Sequence, residues 1–574
     1  MSSLPDYDIA IVGGGVSGVY SGWRLMTASV EQSPLLQQWA AARGGKLKIA
    51  VFEGGQRIGG RLLSARPPGM PHTTCEVGGM RYVSSQSLIS SLIEKKLKLP
   101  RHEQVVDQPQ NLAYLRGQHL RVQDLTNPAQ LPYHLRWAEA DWLSQKNEPS
   151  ALIGWAANQL LPGIQDLHAD DLEAYLQSAQ IDDTPLYQHG FWNLLARAMS
   201  MEAYQLSRTT VGYDSLGANA NAVDLIAEYF NFTPDVKYYL LDDGYETVPW
   251  TLEQKFRKAG GNVFLGHWLE GFNAVSLGDG EIGVSLKFHT DSQETSARAI
   301  VLAMPRRSIE LLRREGPVLD PAKAPEFQFL LNSVEPIPLY KLFIAYPYPW
   351  WSVVGVEKGR SLTDMPLRQC YYWAVEGKQP GADPHNHNAI LMAYNDVSNV
   401  QFWGGLRRLP LGPDDAKVQT LMGGRRSVPP YHCAVARAFD RKPMPYRMPP
   451  KEDLLDQRLR RNWDAHQAPH EMVKEMHRQL IELHNLPSAP EPIEAAFMDW
   501  SDDPYGGGVH FWNPGYQSWL LLERMIHPVP DFPCYVVGEA WSTNQTWVEG
   551  ALQTSEIMLQ KHFRLPQPGW VSHG

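Results

Sequence analysis

Residues 7–18 read Tyr7-Asp8-Ile9-Ala10-Ile11-Val12-Gly13-Gly14-Gly15-Val16-Ser17-Gly18. Ile9 to Val12 is apolar without interruption, as in a strand buried on both faces of a parallel sheet. Gly13, Gly15 and Gly18 then form G-x-G-x-x-G. The first glycine allows a sharp turn, the second lets backbone approach a pyrophosphate, and the third lets the next helix pack against the strand. A helix-like run, Val19 to Met26, follows at once. An anion at this loop would sit on the helix N-terminus, where unpaired N–H groups and the dipole favour negative charge. Val16 and Ser17, inside the loop, are counted with the glycines as cofactor-binding.

Working outward, a second helix-like run (Leu35 to Arg43) leads to a second strand, Leu47 to Phe52, which ends at Glu53-Gly54. An acidic residue there is placed to hydrogen-bond an adenosine ribose, usually about 20 residues beyond the glycines. Here 35 residues separate Gly18 from Glu53. Because a strand-like run leads straight into Glu53, the extra length reads as an insertion between helix and strand.

The whole chain, at 574 residues, exceeds one compact core and predicts two or three domains. A net charge of −10 gives no general attraction to nucleic acid or to an anionic membrane. Cys75, Cys370, Cys433 and Cys534 are scattered, so neither a metal site nor a disulfide framework is expected. No signal peptide and no membrane-spanning run is read, which places the protein in the cytoplasm as an expectation.

Further motifs follow in a telling order. Gly59-Gly60-Arg61 comes first, then Glu76-Val77-Gly78-Gly79-Met80-Arg81-Tyr82. Together with the glycine loop and Glu53 they resemble the flavin amine oxidase family, its L-amino acid oxidase branch in particular. The resemblance implies that Gly60 and Arg61 lie by the flavin pyrophosphate, with Gly79 and Met80 near the flavin ring. It implies that Arg81 holds a substrate carboxylate. A guanidinium is suited to this, being a permanent planar fork that pairs a carboxylate through two hydrogen bonds.

Residues 133–235 resemble the branch's helical insertion. The histidine that the branch often carries near its end is missing, since no histidine lies between His189 and His267. Glu228 falls there instead, with Phe232 at a neighbouring pocket position, and no side-chain base is read. Farther on, Leu269 matches a strand residue that meets the adenine. Lys341 stands inside an apolar strand-like run, Leu339 to Phe343. It is either turned outward or buried and paired, since an unpaired buried ammonium is costly. The resemblance makes it the lysine that holds a water against the flavin. Tyr394, ending the strand 388–394, matches the tyrosine that shares the carboxylate, and Asp396 would face the substrate side chain.

The C-terminal part continues the pattern. Trp500-Ser501-Asp502-Asp503-Pro504-Tyr505-Gly506-Gly507-Gly508 matches a segment beside the flavin. Val509 stands where some relatives attach the flavin to cysteine, so a noncovalent cofactor is implied. Gly538-Glu539 would touch the ribityl chain and phosphate. Thr546, Trp547 and Val548 open the closing helix against the ring and the substrate amine. Trp512, Tyr516 and Trp541 are added to the pocket, and Glu549 is a candidate for selecting basic side chains. Residues 400–466, rich in Pro, Gly and Arg, read as a lid, a subunit arm or an ordinary loop.

The implied architecture is α/β: an FAD-binding Rossmann-type domain (residues 5–66, 237–333 and 528–568), a mixed-sheet substrate domain (67–130 and 334–527) and a helical insertion (131–236). The implied activity is FAD-dependent oxidative deamination of L-amino acids by O2, releasing a 2-oxo acid, ammonia and hydrogen peroxide. Arg81, Tyr394 and Lys341 are its catalytic set, with Trp547, Thr546, Val509, Phe232 and Asp396 also at the substrate. The expected assembly is a homodimer or higher homo-oligomer. Three alternatives stay open: an amino acid 2-monooxygenase, an amine or polyamine oxidase, and a non-catalytic binding protein.

Overall fold

A computed structural model describes residues 4–146, 148, 150–213, 219–231, 236–289, 291–407 and 454–571. Phe232, Cys433 and most of the 400–466 segment (408–453) lie outside the described residues.

The opening stretch forms β1 (Tyr7–Val12) and α1 (Val16–Thr27). β1 is the centre of a seven-stranded sheet. It pairs in parallel with β2 (Ile49–Glu53), and β2 in turn with β3 (Asn262–Leu265). The run from Leu269 to Leu302 supplies an antiparallel β4 (Leu269–Gly278), β5 (Glu281–Phe288) and β6 (Thr295–Leu302), and β6 lies parallel to β1 on its other side. The second half of β6 also pairs in parallel with Cys534–Val536. The sheet thus gathers three distant parts of the chain. Ile9, Ala10, Ile11 and Val12 are buried, as a strand covered on both faces requires.

Helix α1 packs on this sheet between Thr247–Lys258 and the last helix, Val548–Lys561. A buried ion pair ties first helix to last: Arg24 Nε donates to Glu556 Oε1 at 2.7 Å, and the Tyr20 hydroxyl donates to the same oxygen. Each charge there is paired and hydrogen-bonded, the condition under which burial is tolerated.

A second seven-stranded sheet carries the other wall of the site. Its second and third strands are β7 (Leu339–Tyr346) and β8 (Ala389–Asp396), antiparallel, with Lys341 directly opposite Tyr394. All eight residues of β7 are buried, which settles the orientation of Lys341: it does not point to solvent. Directly opposed residues project to the same face, so Lys341 and Tyr394 share one.

Against the second sheet packs a helical segment with its own apolar core. The chain between Phe191 and Val211 forms two helices that meet at Ser200. Phe191–Ala198 ends there, and Met201–Val211 begins with the Ser200 hydroxyl accepting from Ala203 N at 3.1 Å. Glu139 fixes the corner by accepting from Ser200 N and Oγ. A serine that caps a new helix competes with continuing the old one. α2 (Ala222–Asn231) completes the segment and carries Glu228. No helix among the described residues is long and apolar enough to cross a membrane.

Candidate active site

The glycine loop, the two sheets and the helical segment enclose one cavity of about 1550 Å³. At its first end Gly13 has φ +113°, and a Cβ there would stand 2.3 Å from the Ala303 carbonyl oxygen. A Cβ on Gly18 would lie 2.0 Å from the Gly13 carbonyl oxygen, so α1 can approach β1 only without one. Gly15 differs: its missing Cβ has only Gly60 Cα nearby, at 3.9 Å, and the space beyond is cavity. No side chain caps α1 at Gly15. The loop therefore presents backbone and a helix N-terminus to the cavity, a cradle for a pyrophosphate.

Glu53 follows. Its Oε2 accepts from Gly14 N and its Oε1 from Gly55 N, each at 2.7 Å. Burial raises its pKa and these two N–H donors hold it down. Glu539 is more tightly held. Arg61 Nη1 donates to its Oε1 at 2.6 Å, His510 Nδ1 lies 2.6 Å from the same oxygen, and Thr546 N donates to Oε2 at 3.2 Å. Burial opposes the charge, but Arg61 and His510 outweigh it and hold the carboxyl down to about 2. Thr546 leads into α3 (Val548–Lys561), whose N-cap residue Trp547 provides no side-chain cap. A second helix N-terminus thus meets the cavity, beside Thr546, Trp547, Val548 and Ala551.

On the facing wall Lys341 Nζ donates to the carbonyl oxygens of Glu76 (3.2 Å) and Gly78, and lies 5.0 Å from the Tyr394 ring centre. Burial pushes this ammonium below the lysine range, opposed by the nearby Glu76 carboxylate. Burial drives Glu76 upward in turn, against hydrogen bonds from Ser64 Oγ and Tyr245 N.

Arg81 stands at the other end. Its guanidinium lies 4.3 Å from the Tyr238 ring centre, donates to Gln104 Oε1 at 3.1 Å and reaches Tyr213 OH at 3.4 Å. The Tyr213 ring meets the Tyr394 ring edge-on at 5.3 Å. Arg360, also lining the cavity, is engaged by Asp107 at 2.8 Å and by Gln369 Oε1 at 2.8 Å. Among the described residues no carboxylate lies within 4 Å of Arg81.

Of the residues expected at the site, Gly13, Gly15, Val16, Ser17, Glu53, Gly54, Gly60, Arg61, Gly79, Met80, Arg81, Leu269, Lys341, Tyr394, Trp500, Val509, Gly538, Glu539, Thr546, Trp547 and Val548 all line this cavity. Gly18 lies behind the loop. Asp396 does not line the cavity; although two residues from Tyr394, it is the last residue of β8, buried opposite Leu339, and the chain leaves strand geometry at Val397, whose φ is +44°. Trp512, Tyr516 and Trp541 do not line it either; the Trp512 and Trp541 indoles donate to the main-chain carbonyls of Ser542 and Leu330. Glu549 is turned outward from the site, accepting from Leu88 N and Ile89 N. Glu228, Tyr213, Tyr238 and Arg360 line the cavity without having been given roles; they come from separate segments that only the fold brings together.

Two unsatisfied helix starts, an open glycine cradle and a strand-end glutamate match a dinucleotide with a polar ring. The chain matches the flavin containing amine oxidoreductase family over residues 35–407 and 426–557. It belongs to that family, and FAD is its cofactor. It is 24% identical to aplysianin-A of Aplysia kurodai, over 99% of this chain and 92% of that one. It is 22% identical to an L-amino-acid oxidase of Sistrurus catenatus edwardsii, over 70% and 72%. Putrescine oxidase bound to putrescine superposes with a TM-score of 0.59 at 15% identity, covering 97% of this chain and 99% of the other, a likeness of fold.

Proposed function

We propose that this oxidoreductase is an L-amino acid oxidase. The carrying observation is Arg81: a permanent cation, enclosed in the cavity, with no carboxylate beside it among the described residues. A charge so placed calls for an anionic ligand. An α-amino acid supplies one as its carboxylate; a simple amine does not. The relative named an L-amino-acid oxidase supports the same substrate class.

FAD, when bound, would supply the electron sink for two-electron oxidation of the Cα–N unit, with O2 as final acceptor. The chain positions. Arg81 and Tyr394 hold the carboxylate and fix the Cα–H direction, which is catalysis by orientation. Phe191, Phe230 and Phe511 line the helical side of the cavity and favour large apolar side chains. Lys341 serves the oxygen half-reaction. No described cysteine lines the cavity, and Val509 stands where a flavin thioether would need one, so the cofactor is held without a covalent bond. Water hydrolyses the released imino acid to a 2-oxo acid and ammonia.

A peroxide-release screen of the purified yellow protein against L-amino acids, D-amino acids and primary amines tests this. Peroxide from L-amino acids alone is the expected result. Turnover of phenethylamine equal to that of phenylalanine would sink the assignment of Arg81. Formation of an amide and carbon dioxide in place of peroxide would identify a monooxygenase.

A further inference from the structure

The glycine cradle has a second wall, and the chain holds that wall from behind. Gly59, Gly60, Arg61 and Leu62 line the cavity. Gly59 N donates to Gly14 O at 2.9 Å, and Gly60 Cα lies 3.9 Å from where a Gly15 Cβ would stand. The two glycine loops therefore face each other across the cradle. Gly59 and Gly60 have φ +137° and +57°, and the loop belongs to no strand or helix. Such a loop keeps one shape only where its main-chain groups are held.

Two arginines hold them. Arg57 donates to Leu62 O at 2.8 Å and to Gly60 O. Arg458 Nη2 donates to Ile58 O at 2.8 Å, across 400 residues of sequence. Both guanidinium groups also meet the buried Glu246 carboxylate, Arg458 Nε at 3.0 Å and Arg57 Nη1 at 3.5 Å. The other oxygen of Glu246 accepts from Ser64 N at 3.1 Å and from Asn462 Nδ2 at 2.9 Å. Arg458 and Asn462 stand one turn apart on the helix Leu454–Ala465, the far end of the Pro- and Arg-rich segment 400–466. No residue of this helix lines the cavity, so its effect on a cofactor passes through the loop.

We propose that Arg458 is a positioning residue for FAD: with Glu246 and Arg57 it clamps residues 58–62 in the shape that receives the pyrophosphate. Ordering a loop costs conformational entropy. When the chain orders it in advance, that cost is not taken from the free energy of cofactor binding. A guanidinium suits the task because its fork reaches a carboxylate and a carbonyl together, which a single ammonium does not. The helix's other ties lie beyond the loop, where Arg66 Nη1 donates to Asp456 at 3.0 Å and Arg66 N to Leu459 O at 3.0 Å. The clamp is independent of which substrate the flavin oxidises.

The test dilutes wild-type, Arg458→Met, Arg458→Lys and Asp456→Asn holoenzymes serially and reads released FAD by its fluorescence. Arg458→Met should raise the FAD dissociation constant about tenfold, the scale of one charge-assisted hydrogen bond. Arg458→Lys should fall between it and wild type. Asp456→Asn, which frees Arg66 and leaves Arg458 in place, should keep the wild-type constant. Amide hydrogen exchange in Arg458→Met should quicken at residues 58–66 and keep wild-type rates in β1 and β7. With FAD in excess, the absorbance spectrum of the bound flavin should match wild type, because the ring end is untouched. An unchanged dissociation constant in Arg458→Met overturns the proposal. A raised constant with faster exchange throughout the chain, or with an altered flavin spectrum, makes Arg458 a general stability contact and also overturns it. If Arg458→Met does not fold, Arg458→Lys decides by the same measurements. None of them uses a substrate, so failure of the oxidase reading leaves this result standing.

Discussion

At the glycine-loop end of the cavity, Glu53 is satisfied by Gly14 and Gly55, and Glu539 is locked between Arg61, His510 and the Thr546 N–H. At the other end, Arg81 touches a glutamine and tyrosines and no carboxylate among the described residues. The first end resembles a finished structural site, in which the chain neutralises its own charges and offers backbone to the cofactor. The second leaves a guanidinium without a carboxylate for something that arrives and departs. A resident cofactor needs a preformed bed, whereas a transient substrate is selected by the pairing it completes.

The largest effect expected from disturbing this contrast is at Arg81. Arg81→Met should lower kcat/KM for L-amino acids on the order of 10²–10³-fold, because two charge-assisted hydrogen bonds to substrate are lost. Flavin content should not change. Arg81→Lys should recover little, since a point charge does not reproduce the fork. If Arg81→Met instead loses its flavin, the two ends are not independent.

Lys341→Met comes next. It should slow reaction of the reduced protein with O2 by about 10–100-fold, as expected for removing a preorganised charge or donor. Flavin reduction by substrate should change far less. Equal slowing of both half-reactions would move Lys341 from the oxygen step to general upkeep of the wall it shares with Tyr394.

How much of this contrast the sequence could carry differs between the ends. Gly13 to Gly18, Glu53 and Gly538-Glu539 are legible because local spacing does the work: a strand, a turn and a helix start fix the cradle within a few residues. Lys341 and Tyr394 are legible as strand residues, but their pairing across β7 and β8 needs the register. Glu228 is reachable only by its position in the helical segment. Asp396 shows the opposite failure. It follows Tyr394 by two residues, and simple alternation suggests the same face, yet it lies at the end of β8, is buried and lines no part of the cavity. The next residue, Val397, has φ +44°, so the chain is already turning out of regular strand geometry there.

At the cofactor end, Glu539→Gln should weaken FAD binding by about tenfold, the scale of one charge-assisted contact. It should also change acid behaviour. Glu539 is held down to about 2, below its range in an unfolded chain. Its contribution to stability is therefore complete above the unfolded carboxyl's pKa and is lost as pH falls through that value toward 2. The wild-type protein should lose stability and flavin over this window more steeply than Glu539→Gln, measured by flavin fluorescence against pH. Matching curves would mean that other carboxylates dominate the acid transition.

The smallest expected effect is the most discriminating for specificity. If charge that faces the cavity decides selection, then a carboxylate outside it should not, however near it stands in sequence. Asp396→Asn keeps the shape of a buried side chain and removes its charge. The ratio of kcat/KM for L-lysine to that for L-phenylalanine should shift by less than about twofold, within the range of substitutions away from a site. A large change in the lysine-to-phenylalanine ratio in Asp396→Asn would show that the substrate's far end is read from behind the Tyr394 wall, and the division between a finished and an open end of the cavity would have to extend to a third region.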